Sequence, residues 1–154
     1  MLSIILLATI SACSQQQEVS DDFATVIKVV DGDTVVLSIN GSTETVRLIG
    51  VNTPETVHPT KPVECFGPQA SAFMHSVLKP KTKVQLRRDV EARDRYQRLL
   101  VYLYLTDGTF INQESLRLGF ARTMSIQPNT AFASKFAAVQ TQANRNRIGL
   151  WLNC

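Results

Sequence analysis

Histidine, tryptophan and cysteine are scarce in this chain: 2 His, 1 Trp and 3 Cys in 154 residues. His58 and His75 do not have the spacing of a zinc site, so soft-metal chemistry built on imidazole and thiolate is excluded. Charge of one sign is also missing. Lys plus Arg total 16 against 13 Asp plus Glu, a net +3, which gives a surface that mildly attracts polyanions without the dense cationic face of a packaging protein. There is no apolar run long enough for a mature transmembrane helix, no internal repeat and no low-complexity tract. Hydrophobic residues make up 44%, enough for the core of one domain and not of two.

What is present begins with "MLSIILLATISAC", a short apolar run closing on small residues, shaped like a secretory leader. Ile10-Ser11-Ala12-Cys13 resembles a bacterial lipobox, which predicts a signal peptide over 1–13 and lipidation of Cys13. The segment before the apolar run carries no Lys or Arg, so a plain cleaved signal and a buried apolar N-terminus stand as alternatives. Residues 14–22, "SQQQEVSDD", read as a flexible polar spacer, which leaves 23–154 as the domain. The expected location is the cell envelope, the periplasm or the extracellular space, and the expected state is a monomer. Export also bears on Cys65 and Cys154, since an oxidising compartment favours a disulfide between them. Closing a loop of about 90 residues is worth roughly 4–5 kcal/mol as an upper figure. The alternative is two unrelated thiols.

From Phe23 the pattern is strand-like. "FATVIKVV", "TVVLSI" and "ETVRLIGV" are rich in β-branched residues and are separated by Asp31-Gly32-Asp33 and by Asn40-Gly41, the second a strong hairpin turn. Pro68 in a first helical turn, then Ala70, Phe73, Met74, Val77 and Leu78, predict a helix that Pro80 stops. "KVQLR" and "LLVYLYL" predict two more strands around a charged connection from Arg88 to Arg98. Asn112 is expected to cap a short helix running to Leu118 and ended by Gly119. Phe132, Phe136, Val139 and Ala143 mark the buried stripe of a final helix. Three strands, a helix, two strands and two helices is the plan of an OB-fold: an α+β, mainly β architecture with a five-stranded barrel and three helices.

Polar groups interrupt these strands. Asp31, Asp33, Asn52 and Glu55 sit at two strand ends that a closed barrel can bring together, and their oxygens suit a hard cation such as Ca²⁺. Singly they read as ordinary turn and terminator residues. Arg47 does not, because it lies inside a run otherwise suited to burial, where a guanidinium requires an anion.

"DGDT", "VRLIGVNTPET", "CFGPQASAF", "DRYQRLLVYLY" and "FINQESLRLGFAR" resemble, in order and spacing, the signature blocks of the staphylococcal nuclease (thermonuclease) family from about Val26 to Trp151. The resemblance implies Ca²⁺-dependent cleavage of phosphodiesters in DNA and RNA, single-stranded or locally opened, leaving 3′-phosphates. Carried over by motif, Asp33 is a metal carboxylate with Asp31 behind it, and Thr53 is a ligand through its carbonyl. Glu55 orients or deprotonates the attacking water, and Arg47 and Arg98 grip the phosphate.

Three departures from the family pattern involve four positions. Asn52 stands where an aspartate is usual, which predicts a metal site with one charge fewer. Gln97 replaces a glycine, and Met124 and Ile126 replace nucleotide-lining tyrosines, leaving Arg95 and Tyr96 as substrate contacts. "TVHPTKPVE" resembles the mobile loop beside the family's active site, with an inert surface loop as the alternative. Two other functions are consistent with the fold: a nucleic-acid-binding OB module without catalysis, and a cell-envelope interaction lipoprotein. Neither gives a reason to keep Asp33, Arg47, Glu55 and Arg98 together.

Overall fold

The structure is a computed structural model that describes residues 22–57, 60 and 62–154. The predicted leader, the lipidation site at Cys13, nearly all of the spacer, and His58 lie outside the described residues. Among those described, no helix is long and apolar enough to cross a membrane.

Five strands close into a barrel: β1 (Asp22–Val29), β2 (Thr34–Ile39), β3 (Ser42–Leu48), β5 (Lys83–Arg87) and β6 (Leu99–Leu105). The order around the barrel is β1-β2-β3-β6-β5, and β1 pairs back onto β5. All pairs are antiparallel except β3 with β6. The β2–β3 hairpin turns at Asn40 (φ 50°) and Gly41 (φ 83°), the positive-φ pair that the Asn-Gly signal predicts. Val35, Leu37, Val46, Leu48, Val84, Leu86, Val101 and Leu103 alternate inward and are fully buried, so the period-2 pattern builds the core.

Outside the barrel lie α1 (Gly67–Val77), α2 (Ile111–Arg117) and α3 (Ala133–Arg145), the three expected helices, and a single extra turn, α4 (Leu150–Asn153). Phe136 of α3 is buried against Tyr102 and Phe110. Gly119 closes α2 at φ +67°. The disulfide Cys65–Cys154 is formed.

Two expectations change. "ETVRLIGV" is not one strand: it breaks at Ile49, and β4 (Gly50–Asn52) leaves the barrel to pair with β7 (Arg122–Met124) in a separate two-stranded sheet. Gly50 makes the break at φ +78°, and a Cβ there would stand 2.6 Å from the Phe136 ring. Three-residue β7 is too short to show a period of its own. Asn112 is not a cap either. Phe110 holds that position, and Asn112 is fully buried in the first turn of α2. Its amide donates to the Ile49 carbonyl (2.8 Å) and accepts from Leu103 N–H (2.9 Å), supplying the partners that the strand break leaves open.

Candidate active site

Register brings the polar residues together. Thr34 is opposite Arg47 across β2–β3, and the parallel β3–β6 pair sets Val46 beside Leu99 and Arg47 beside Leu100. Asp33, one residue before β2, and Arg98, one residue before β6, therefore flank Arg47 at the same rim. Asp31, Asp33, Thr34, Arg47, Asn52, Thr53, Glu55 and Arg98 line one cleft of about 230 Å³.

Arg47 and Asp33 form its floor, exposed by only 7% and 6%. Arg47 Nη1 donates to the carbonyls of Leu48 (2.7 Å) and Val51 (2.8 Å), and Nη2 donates to Asn52 Oδ1 (3.2 Å) and lies 3.0 Å from Asp33 Oδ2. The strand break is what makes this possible, because it turns the Leu48 and Val51 carbonyls toward the guanidinium. Burial pulls the Arg47 pKa down, Asp33 opposes that, and Arg98 adds to it.

Asp33 is equally constrained. Oδ2 accepts from Thr53 N–H (2.9 Å) and Thr53 Oγ1 (3.1 Å), and Oδ1 accepts from Thr34 Oγ1 (3.1 Å). Asp31 Oδ1 accepts from the Asp33 N–H (3.0 Å), and burial followed by the Asp33 charge raises the Asp31 pKa. Glu55 is half-buried at the cleft wall, with Oε1 accepting from the N–H groups of Thr56 and Val57, both at 2.8 Å.

Arg98 is held by Asp94, whose Oδ2 takes both Nε and Nη2 at 2.7 Å. Sequence reasoning passed over Asp94 because it sits among alternating charges that look like a solvated turn. Its i, i+4 spacing to Arg98 is the signal that could have marked it. Gln97 has φ +65°, the positive value that the missing glycine implies. A second cleft of about 590 Å³ shares Arg47, Arg98 and Met124 with the first and adds Arg95, Tyr96, Ile126 and Asn129. Arg95 Nη2 donates to Tyr96 Oη (2.7 Å), and Tyr96 is 64% exposed beside this cleft, so both predicted substrate contacts border it. Met124 and Ile126 give its wall apolar side chains in place of hydroxyls.

No group of three or more His, Cys, Asp or Glu side chains is placed to hold a metal among the described residues. The donor set still suits a hard cation. Half-buried Asp31 and buried Asp33 repel one another, and Asn52, Thr53, Thr34 and Glu55 on the same cleft add further oxygen donors. Such a site retains several waters and binds through few protein charges. Asn52 Oδ1 and Asp33 Oδ2 already serve Arg47, so a cation there competes with the guanidinium for both.

Comparison with known proteins agrees with this frame. The thermonuclease of Staphylococcus hyicus is 38% identical over 128 residues, spanning 83% of this chain and 75% of that protein. The thermonuclease of Staphylococcus intermedius is 38% identical over 124 residues, spanning 80% and 73%. Endonuclease YncB of Bacillus subtilis (strain 168) is 35% identical over 129 residues, spanning 82% and 60%. Residues 45–153 match the family model described as staphylococcal nuclease homologue. A family-model match over most of the chain, and relatives at 38% identity covered to about three quarters of their length, show that the chain belongs to the staphylococcal nuclease family.

Proposed function

We propose that the protein is a nuclease that hydrolyses phosphodiester bonds of DNA and RNA with little sequence preference, depends on Ca²⁺ and leaves 3′-phosphate ends. The observation that carries this reading is the convergence of two guanidinium groups, a buried carboxylate and a half-buried carboxylate on one cleft. The thermonuclease and endonuclease names of its relatives support the same activity.

A phosphodiester resists attack because its charge repels nucleophiles and because charge builds on the non-bridging oxygens at the transition state. Arg47 and Arg98 meet both demands. Each presents paired N–H donors that stay charged, and Arg47 is fixed on two carbonyls so that little reorganisation is needed. Turning Arg47 Nη2 toward a phosphate exchanges Asp33 for another anion. Glu55 accepts the proton of a water whose oxygen attacks phosphorus while the P–O5′ bond breaks; O5′ leaves as a 5′-hydroxyl with a proton taken from solvent, and the phosphate stays on the 3′ side. Asp33, the Thr53 carbonyl and the Asn52 amide would hold the cation, with Asp31 behind Asp33. When bound, the cation supplies Lewis-acid stabilisation of charge on the phosphate. Arg95 and Tyr96 contact the flanking nucleotide, and the apolar Met124 and Ile126 weaken its grip on a free mononucleotide.

On this reading the enzyme works outside the cytoplasm as a monomer, tethered through a lipidated Cys13 or released; the leader-like sequence of residues 1–13 supports export and bears on nothing else. Labelled fatty acid entering the wild type and not Cys13→Ser supports the tether; equal labelling removes it. The activity is tested on the soluble domain with single-stranded DNA, duplex DNA and RNA, in Ca²⁺, in chelator, and with Glu55→Gln. Cleavage confined to the wild type in Ca²⁺ is expected. Binding without cleavage would instead make the protein a non-catalytic nucleic-acid module, and neither would make it a cell-envelope interaction lipoprotein.

A further inference from the structure

Glu55 lies three residues beyond the last residue of β4, in a stretch with no strand or helix of its own. What holds its backbone comes from the far side of the following loop. The Glu64 N–H donates to the Glu55 carbonyl (2.9 Å), and the Glu55 N–H donates to Glu64 Oε2 (3.1 Å), which closes the loop at its neck. Gly67, the first residue of α1, presses on the same peptide: a Cβ there would be 3.1 Å from the Glu55 carbonyl oxygen and 3.2 Å from that of Pro54.

Between these two grips, Cys65 is bridged to Cys154, 89 residues away in sequence. Cys154 follows α4, whose Leu150 N–H donates to the Gly119 carbonyl (2.9 Å). Phe120 then stacks against Phe66 at 5.7 Å and Phe73 at 4.6 Å, locking the start of α1 to the same C-terminal block. The neck is thereby fastened to the folded body by a covalent bond, a backbone hydrogen bond and an aromatic stack.

We infer that Glu64, backed by the Cys65–Cys154 bridge, is a positioning residue for Glu55, fixing where its carboxylate stands over the cleft; this rests on the nuclease reading above. Glu64 touches neither substrate nor cation. It serves through one acceptor oxygen on the Glu55 amide, so its charge is dispensable and its reach is not. A proton acceptor that must meet one water is sensitive to small displacements, and a misplacement of about 1 Å costs up to about a hundredfold in rate. Substrate binding depends on Arg47 and Arg98, which the neck does not touch, so the effect falls on turnover and leaves affinity alone.

The test compares the wild type, Glu64→Ala, Glu64→Gln and the double variant Cys65→Ser/Cys154→Ser in two measurements, at a temperature well below every unfolding midpoint. One measurement is kcat and KM on an oligonucleotide, and the other is hydrogen exchange at the Glu55 amide. Glu64→Ala should lower kcat about tenfold or more with KM within about twofold, and speed Glu55 exchange. Glu64→Gln should stay within about twofold of wild type in both, and the double variant should shift kcat and exchange in the same direction as Glu64→Ala. Wild-type kcat in Glu64→Ala, an equal loss in Ala and Gln, or a change confined to KM overturns the inference. If the wild type cleaves nothing, the nuclease reading fails and the catalytic meaning of the clasp fails with it. Glu55 exchange then still decides the clasp itself, and unchanged exchange in Glu64→Ala removes it.

Discussion

Asp31 carries a carboxylate under strain in the cleft: burial and then the Asp33 charge raise its pKa. A carboxyl with a raised folded-state pKa binds its proton more tightly in the fold than in the unfolded chain. Its contribution to stability is present at low pH and disappears as pH rises through the folded value. At neutral pH the ionised group is therefore a cost, and Asp31→Asn, which keeps the acceptor for the Asp33 N–H, should raise the Tm of the metal-free protein. A lower Tm in calorimetry would contradict that. Asn52→Asp restores a charge beside Asp33 and should lower the Ca²⁺ concentration for half-maximal effect; an unchanged or higher value would remove Asn52 from the ligand set. Arg47→Lys keeps the charge and loses the fork that spans Leu48, Val51 and Asn52. We expect kcat to fall by about a hundredfold in steady-state assays.

Among the elements, the break between β3 and β4 matters most, since it releases the carbonyls that hold Arg47 and aims Asn52 and Thr53 at the cleft. Gly50 carries that break at φ +78° with no room beside Phe136. Gly50→Ala should cost about 2–4 kcal/mol in urea unfolding, combining left-handed strain with overpacking. A loss under about 0.5 kcal/mol would mean that the break is held by something other than the glycine. Gln97, exposed at φ +65°, is the opposite case. Its carbonyl accepts from Arg93 Nη1 (2.8 Å), a contact that needs no side chain. Gln97→Gly should therefore stabilise by up to about 1 kcal/mol with Arg98 still aimed by Asp94.

The whole molecule is a barrel whose rim is held from outside. The disulfide spans most of the domain, so Cys65→Ser/Cys154→Ser should lose about 2–5 kcal/mol in chemical denaturation. The barrel should stay intact, because its core comprises apolar residues from all five strands and Met74, Ile111, Leu116 and Phe136 from the helices. Loss of the barrel's circular-dichroism signature at room temperature would show that the staple is needed for folding as well as for stability.

Local pattern was enough for much of what depends on neighbours in sequence, though not for the break at Gly50 or the cap at Phe110. The Asn40-Gly41 hairpin, the strand-forming runs of the barrel and the stripe of α3 were legible, because backbone sterics and side-chain periodicity act within a few residues; the positive φ at position 97 was implied by the resemblance instead. The resemblance to known motif blocks supplied the candidate site residues. What tertiary structure alone decided was pairing at a distance: β7 with β4, Asn112 with Ile49, Asp94 as the holder of Arg98, and Glu64 on Glu55. Each of these satisfies a polar or backbone group left open by a break or a turn. Such a need is visible in sequence only as an ordinary polar residue, and its partner is set by how the barrel closes.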